Sequence, residues 1–204
     1  MNLLAWLVAL LLFAMGLVYG VFLHRNHIFP YNHMHRLLKR WCGLKGRAWA
    51  IGLYSGPSPL KLRAMSGSRQ PVVNAEHVTD VRAEFVADPF LHVSSKGYFL
   101  FFEVWNVDSG KGEIAVSRSV DLRDWVYQSV VLSEDFHLSY PYVFEHQGEI
   151  YMVPESQADF SVRLYRARSF PQQWELVSRL LVGHKYSDAS LIQRDGIWWM
   201  FVHI

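Results

Sequence analysis

A chain of 204 residues that is 51% hydrophobic can bury one ordinary domain core, which excludes disorder as its main state. Its net charge of +2 hides a split, because nine Lys and Arg but no Asp or Glu precede Glu76, while the rest of the chain carries −7. A basic stretch ahead of an acidic domain suits an anionic lipid surface and argues against nucleic acid as a partner.

The first element is the uncharged run Leu3 to Leu23, 21 residues of which thirteen are Leu, Val or Phe. At 1.5 Å per helical residue this length matches a hydrocarbon core of about 30 Å, so residues 1–24 are expected to be a single transmembrane anchor. Ala14-Met15-Gly16 has the small residues of a cleavage site, but no basic segment precedes it and the apolar run continues past it. Arg25, Arg36, Lys39, Arg40, Lys45 and Arg47 all follow the run, which by the positive-inside rule places the rest of the chain on the cytoplasmic side.

Met34, Leu37, Leu38, Trp41 and Cys42 recur at helical spacing among basic residues, so residues 25–47 are expected to be an amphipathic juxtamembrane segment, with membrane lipids contacted through residues 3–45. His24, His27, His33 and His35 come without an acidic ligand, and no metal site is expected. Cys42 is the only cysteine, which excludes a disulfide framework or a cysteine zinc site within one chain. No cofactor is expected.

From about Trp49 helical periodicity gives way to short Val-, Ile- and aromatic-rich runs separated by turn residues, so residues 48–204 are expected to be all-β. Ala87-Asp88-Pro89-Phe90-Leu91, Ser139-Tyr140-Pro141-Tyr142-Val143 and Ser187-Asp188-Ala189-Ser190-Leu191 each open a strand. Each leads to a turn glycine, Gly97, Gly148 or Gly196, at spacings of 51 and 48 residues. Trp125 and Trp174 begin the last strand of the first two units and stand 49 apart.

Four strands per unit of about 50 residues is the pattern of a propeller blade. About two and a half blades are legible, an incomplete β-propeller that ends at Ile204 within a third blade. A fragment, a truncated gene product, or a protein whose missing blades another chain supplies would each read this way. The turn Ser119-Val120-Asp121-Leu122-Arg123-Asp124-Trp125 resembles the Asp-box hairpin of sugar-cleaving propellers, with Arg123 where glycine is usual.

In a propeller the innermost strand of each blade lines the central channel, so Asp88, Tyr140 and Asp188 are expected to converge. Glu103 and Glu155 match one another at the end of the second strand, and Glu84, His137 and Ser139 lie just before inner strands. Sugar chemistry uses one carboxylic acid to protonate a leaving oxygen and a second carboxylate as base or nucleophile, about 5 to 9.5 Å apart. The candidate catalytic residues are therefore Asp88, Glu155 and Asp188. Glu84, Glu103, His137, Ser139 and Tyr140 are candidate substrate-binding residues.

The strings Trp49-Ala50-Ile51-Gly52-Leu53-Tyr54, Val86-Ala87-Asp88-Pro89-Phe90, Tyr151-Met152-Val153-Pro154-Glu155-Ser156 and Phe136 to Glu145 resemble the N-terminal domain of plant glucosamine inositolphosphorylceramide transferases and their bacterial relatives, some fused to formyltransferase-like domains. The resemblance runs from about Trp49 to Ile204. It implies the five-bladed propeller of arabinanases, levansucrases and invertases, and within glycoside hydrolase family 43 it carries the general-base role to Asp88. Tyr140 stands where that family has its second aspartate, and Asp188 in Asp-Ala-Ser stands where it has its general acid. The chain is expected to bind a glycan or sugar-lipid precursor in envelope polysaccharide or glycolipid assembly, associated with glycosyl or formyl transfer. A family 43-like glycosidase and a non-catalytic scaffold are the alternatives.

Overall fold

The computed structural model describes Phe13, residues 15–20 and residues 49–204. The chain divides into two units, Met1–Arg47 and Ala48–Ile204, each taken by itself. In the first, Phe13 and residues 15–20 are helical, and no helix among the described residues is long and apolar enough to cross a membrane. The remainder of the expected span Leu3–Leu23 and the segment 25–47 lie outside the described residues.

The second unit is all-β apart from two single-turn 3-10 helices. A small hairpin, β1 (Tyr54–Ser55) with β2 (Arg63–Ala64), and a bridge from Ile51 to Val73 open it. Next, β3 (Ala83–Ser94), β4 (Gly97–Asn106), β5 (Lys111–Ser119) and β6 (Val126–Leu132) form an antiparallel meander in chain order. The same meander recurs as β7 (Ser139–His146), β8 (Glu149–Ser156), β9 (Ser161–Ser169) and β10 (Gln173–Val182). A third unit is present as the hairpin β11 (Ser187–Arg194) and β12 (Ile197–His203). The β7–β8 and β11–β12 turns place Gln147-Gly148 and Asp195-Gly196 at positive φ, the backbone of the two-residue turn that suits the strand twist.

Successive side chains of a strand point to opposite faces, and β4 is apolar on both because both are covered. Leu100, Phe102 and Val104 enter a cluster with Ile51, Val73 and Val86, whereas Phe99 and Phe101 pack with Leu138, Met152 and Tyr165 of the next meander. Likewise Met152 of β8 faces the first sheet while Val153 packs with Tyr186 and Ala189 of the third unit. Aromatic contacts reinforce the first boundary: Phe99 meets Phe170 edge-on at 4.7 Å between ring centroids, and Phe101 meets Trp174 at 5.7 Å. Sheets stacked face to face in this way make a partial propeller-like fold.

The expected Asp-box hairpin is present as a structural device. Asp121 Oδ1 accepts from the Arg123 and Asp124 amides at 2.9 and 3.1 Å, which holds its carboxyl below the usual carboxylate range. The left-handed residue of this turn is Leu122, at φ 65°, so Arg123 carries no backbone demand for glycine. The tryptophan repeat also has a local cause: the Trp125 indole donates to Leu122 O and that of Trp174 to Pro171 O, each three residues back.

Candidate functional site

The three sequence strings that open the inner strands share one backbone irregularity. Ala87 pairs with Glu103 and the next partners are Phe90 and Phe101, so β3 carries one residue more than β4 across that step. Ser139 with Glu155 and then Tyr142 with Val153 repeat the step in the second unit, and Ser187 with His203 and then Ser190 with Phe201 repeat it in the third. Each is a β-bulge whose first residue is left-handed: Asp88 at φ 50°, Tyr140 at 46° and Asp188 at 54°. Asp tolerates this region, but for Tyr it is uncommon and costs about 1–3 kcal/mol.

The bulges bring neighbouring units into contact. Asp88 Oδ2 accepts from the Tyr140 amide at 3.2 Å, and the Tyr140 hydroxyl lies 3.1 Å from Ser190 Oγ. Phe90 packs edge-on against the Tyr140 ring at 4.7 Å. Asp88, Tyr140 and the strand bearing Asp188 therefore form one continuous line across three inner strands.

Beside this line stand the two glutamates paired across the bulges. Glu103 is buried, and burial together with the negative charges of Asp88 and Glu155 pushes its carboxyl up to about 7. Glu155 is half-buried, and burial with the Asp188 charge raises its carboxyl as well. Ser139, its partner across the strand pair, opposes that rise. Four carboxyl groups thus share one electrostatic environment, and two of them are shifted toward the range where a proton can be held at neutral pH.

His137 completes the corner. Its Nδ1 accepts from the Gly112 amide at 2.8 Å, so the remaining proton sits on Nε2, which lies 3.8 Å from Glu103 Oε1. Burial lowers the imidazole and raises the carboxyl, so this contact joins two groups driven toward neutrality and is not an ion pair. Trp105, two residues beyond Glu103, stacks on Phe85 at 5.8 Å with 18° between the rings and stands 5.7 Å from the His137 ring.

Of the eight residues singled out from sequence, Asp88, Glu103, His137, Ser139, Tyr140, Glu155 and Asp188 are linked by these contacts. Glu84 is exposed at the start of β3 and, among the described residues, makes no side-chain hydrogen bond or ion pair to them. Sequence reasoning passed over two positions. His203, paired with Ser187, is the third-unit counterpart of Glu103 and Glu155, and the spacing from Asp88 through Tyr140 to Asp188 leads from Glu103 through Glu155 to it. Gly112 lies so close to the corner that an added Cβ would meet Leu138 O at 2.4 Å, His137 Cε1 at 2.6 Å and Glu103 Oε1 at 2.7 Å. Among the described residues no cluster of His, Cys, Asp and Glu could hold a metal ion.

Comparison with known proteins agrees with this architecture. The chain is 42% identical over 169 residues to glucosamine inositolphosphorylceramide transferase 1 of Oryza sativa subsp. indica and 33% identical over 168 residues to that of Arabidopsis thaliana. These alignments cover 76% and 75% of this chain but only 23% and 22% of the two relatives, so the chain spans less than a quarter of their length. Among solved structures, a variant of a Bombyx mori GH32 beta-fructofuranosidase in complex with sucrose shares the fold, with a TM-score of 0.50 and 20% identity over 68% of this chain and 32% of that one. A family model described as glucosamine inositolphosphorylceramide transferase 1, N-terminal, matches residues 44–203, and the chain belongs to that family.

Proposed function

We propose that this chain provides a carbohydrate-binding wall of a five-bladed propeller channel and holds a glycan or sugar-lipid precursor during glycolipid or envelope polysaccharide assembly. The observation that carries the reading is the repeated left-handed bulge, which sets Asp88, Tyr140 and Asp188 in line beside Glu103 and Glu155. Carboxyl groups accept from sugar hydroxyls, protonated carboxyls and the His137 Nε2–H donate to them, and Trp105 and Tyr140 offer faces for the apolar side of a ring. The names of the plant relatives make an amino sugar the first ligand to try, since its ammonium group complements an acidic wall. The apolar run Leu3–Leu23 and the basic residues after it would hold this wall at a membrane surface, on the cytoplasmic side.

A second reading, a family 43-like glycosidase with Asp88 as base, draws support from the carboxyl of Glu103, which at about 7 suits proton donation near neutral pH. Calorimetric titration of the full chain with glucosamine, N-acetylglucosamine and galactose separates the possibilities. Binding that disappears in Asp88→Ala, without hydrolysis of nitrophenyl arabinosides, xylosides or galactosides, is the expected result. Absence of binding to every sugar tested overturns the binding proposal.

A further inference from the structure

Away from the acidic wall, at the opposite end of the first blade, lies a cavity of about 560 Å³ between the β3–β4 turn and the β9–β10 turn of the next unit. Its lining includes Ser95, Lys96, Arg118, Gln128, Phe170 and Gln172, and it contains no Asp or Glu. Among the described residues neither Lys96 nor Arg118 forms an ion pair, whereas Arg82, Arg163, Arg166, Arg168 and Arg179 each reach a carboxylate in another part of the unit. Two cations in a hollow without counter-charge repel one another, an arrangement relieved by an anion that binds both.

The guanidinium is held in place. Arg118 Nη2 donates to Lys96 O at 2.7 Å, and its carbon stands 5.9 Å from the Phe99 ring centroid. Gly97, at φ 119°, has its would-be Cβ position 2.6 Å from Ser119 O, so a side chain there would clash with the backbone next to Arg118. A planar fork fixed on one side presents its remaining N–H groups to a ligand with less entropy left to lose. The Phe170 ring, set edge-on to Phe99 at 4.7 Å, supplies an apolar wall; the Gln172 amide and the Gln128 side-chain oxygen, whose own NH2 already donates to Val126 O and Tyr127 O, supply groups of the kind that bind hydroxyls.

We infer that this cavity is a second carbohydrate site that takes a phosphorylated sugar, with the phosphate on Arg118 and Lys96 and the ring against Phe170 between the two glutamines. The site is independent of the acidic wall, which would repel the same ligand, so the two can be tested separately.

The test is calorimetric titration of the full chain with glucose 6-phosphate, glucose and inorganic phosphate at low ionic strength. Glucose 6-phosphate is expected to bind more tightly than either of the others. It should lose about tenfold or more in affinity in Arg118→Gln and in Lys96→Gln, and should weaken as salt is added. Lys96→Gln keeps the backbone carbonyl that Arg118 uses, so it reports on the lost charge even if Arg118→Gln disturbs the turn. Glu103→Gln is expected to leave glucose 6-phosphate binding unchanged, which keeps failure here distinct from failure at the acidic wall. The inference is overturned if both charge variants bind glucose 6-phosphate like the unaltered chain, or if inorganic phosphate binds as tightly as the sugar phosphate.

Discussion

Replacing Gly112 by alanine tests how tightly the Glu103–His137 corner is packed. The backbone there has no left-handed φ, so the substitution adds a steric load without backbone strain. The new methyl would stand 2.4 Å from Leu138 O, 2.6 Å from His137 Cε1 and 2.7 Å from Glu103 Oε1, all shorter than a carbon can approach without movement. The first neighbour is backbone, held by the bond from the Leu138 amide to Gly112 O at 3.0 Å, and the second is a ring fixed by the Gly112 amide. Neither can yield cheaply. Overpacking of this kind costs about 1–3 kcal/mol, which in a unit of this size lowers Tm by roughly 2–10 °C. Differential scanning fluorimetry of the full chain measures the shift, and the titration of His137 followed by NMR reports whether the ring has been displaced. A variant with the same Tm and an unmoved His137 titration would refute the argument that Gly112 exists to admit these side chains.

Glu103 makes stability depend on pH with a defined sign. Its carboxyl sits at about 7 in the folded chain against an ordinary value of 4.5, so the folded form holds its proton more tightly. That stabilisation is complete below pH 4.5 and is lost as pH rises through 7, a change on the order of 3 kcal/mol. Denaturant unfolding at pH 5 and pH 8 should show it, and Glu103→Gln should flatten the difference; equal pH dependence in both proteins would contradict it. Phe101, fully buried at the boundary between the first two meanders, is expected to cost about 3–5 kcal/mol on replacement by alanine. Equilibrium unfolding should remain a single transition, and loss of the first meander alone would show that the two sheets are not coupled through this contact.

The blade pattern was legible because its markers are chemical. Turn glycines at Gly97, Gly148 and Gly196 meet a backbone demand, the Trp125 and Trp174 indoles satisfy a carbonyl three residues back, and the two-faced apolar run around Phe99–Phe102 follows from sheets packed on both sides. The bulge beneath the site was less so. One extra residue in a strand leaves no periodic trace, and its left-handed position is filled by Asp in two units but by Tyr140 in the other, where side-chain preference points the other way. Gly112 was hidden by its surroundings, since a glycine in Gly110-Lys111-Gly112 reads as part of a turn rather than as a place where another blade approaches.

The coupling of the carboxyl groups bears on which chemistry the acidic wall can support. Burial and the Asp188 charge together raise the Glu155 carboxyl, so these two groups act on one another electrostatically. Asp88, the expected base, has its carboxylate already bonded to the Tyr140 amide of the neighbouring unit. Converting Asp188 to Asn separates the alternatives: a wall that serves to position ligand should keep binding sugar in calorimetric titration, whereas a hydrolytic site that uses the Asp188 carboxyl should lose its activity on nitrophenyl glycosides.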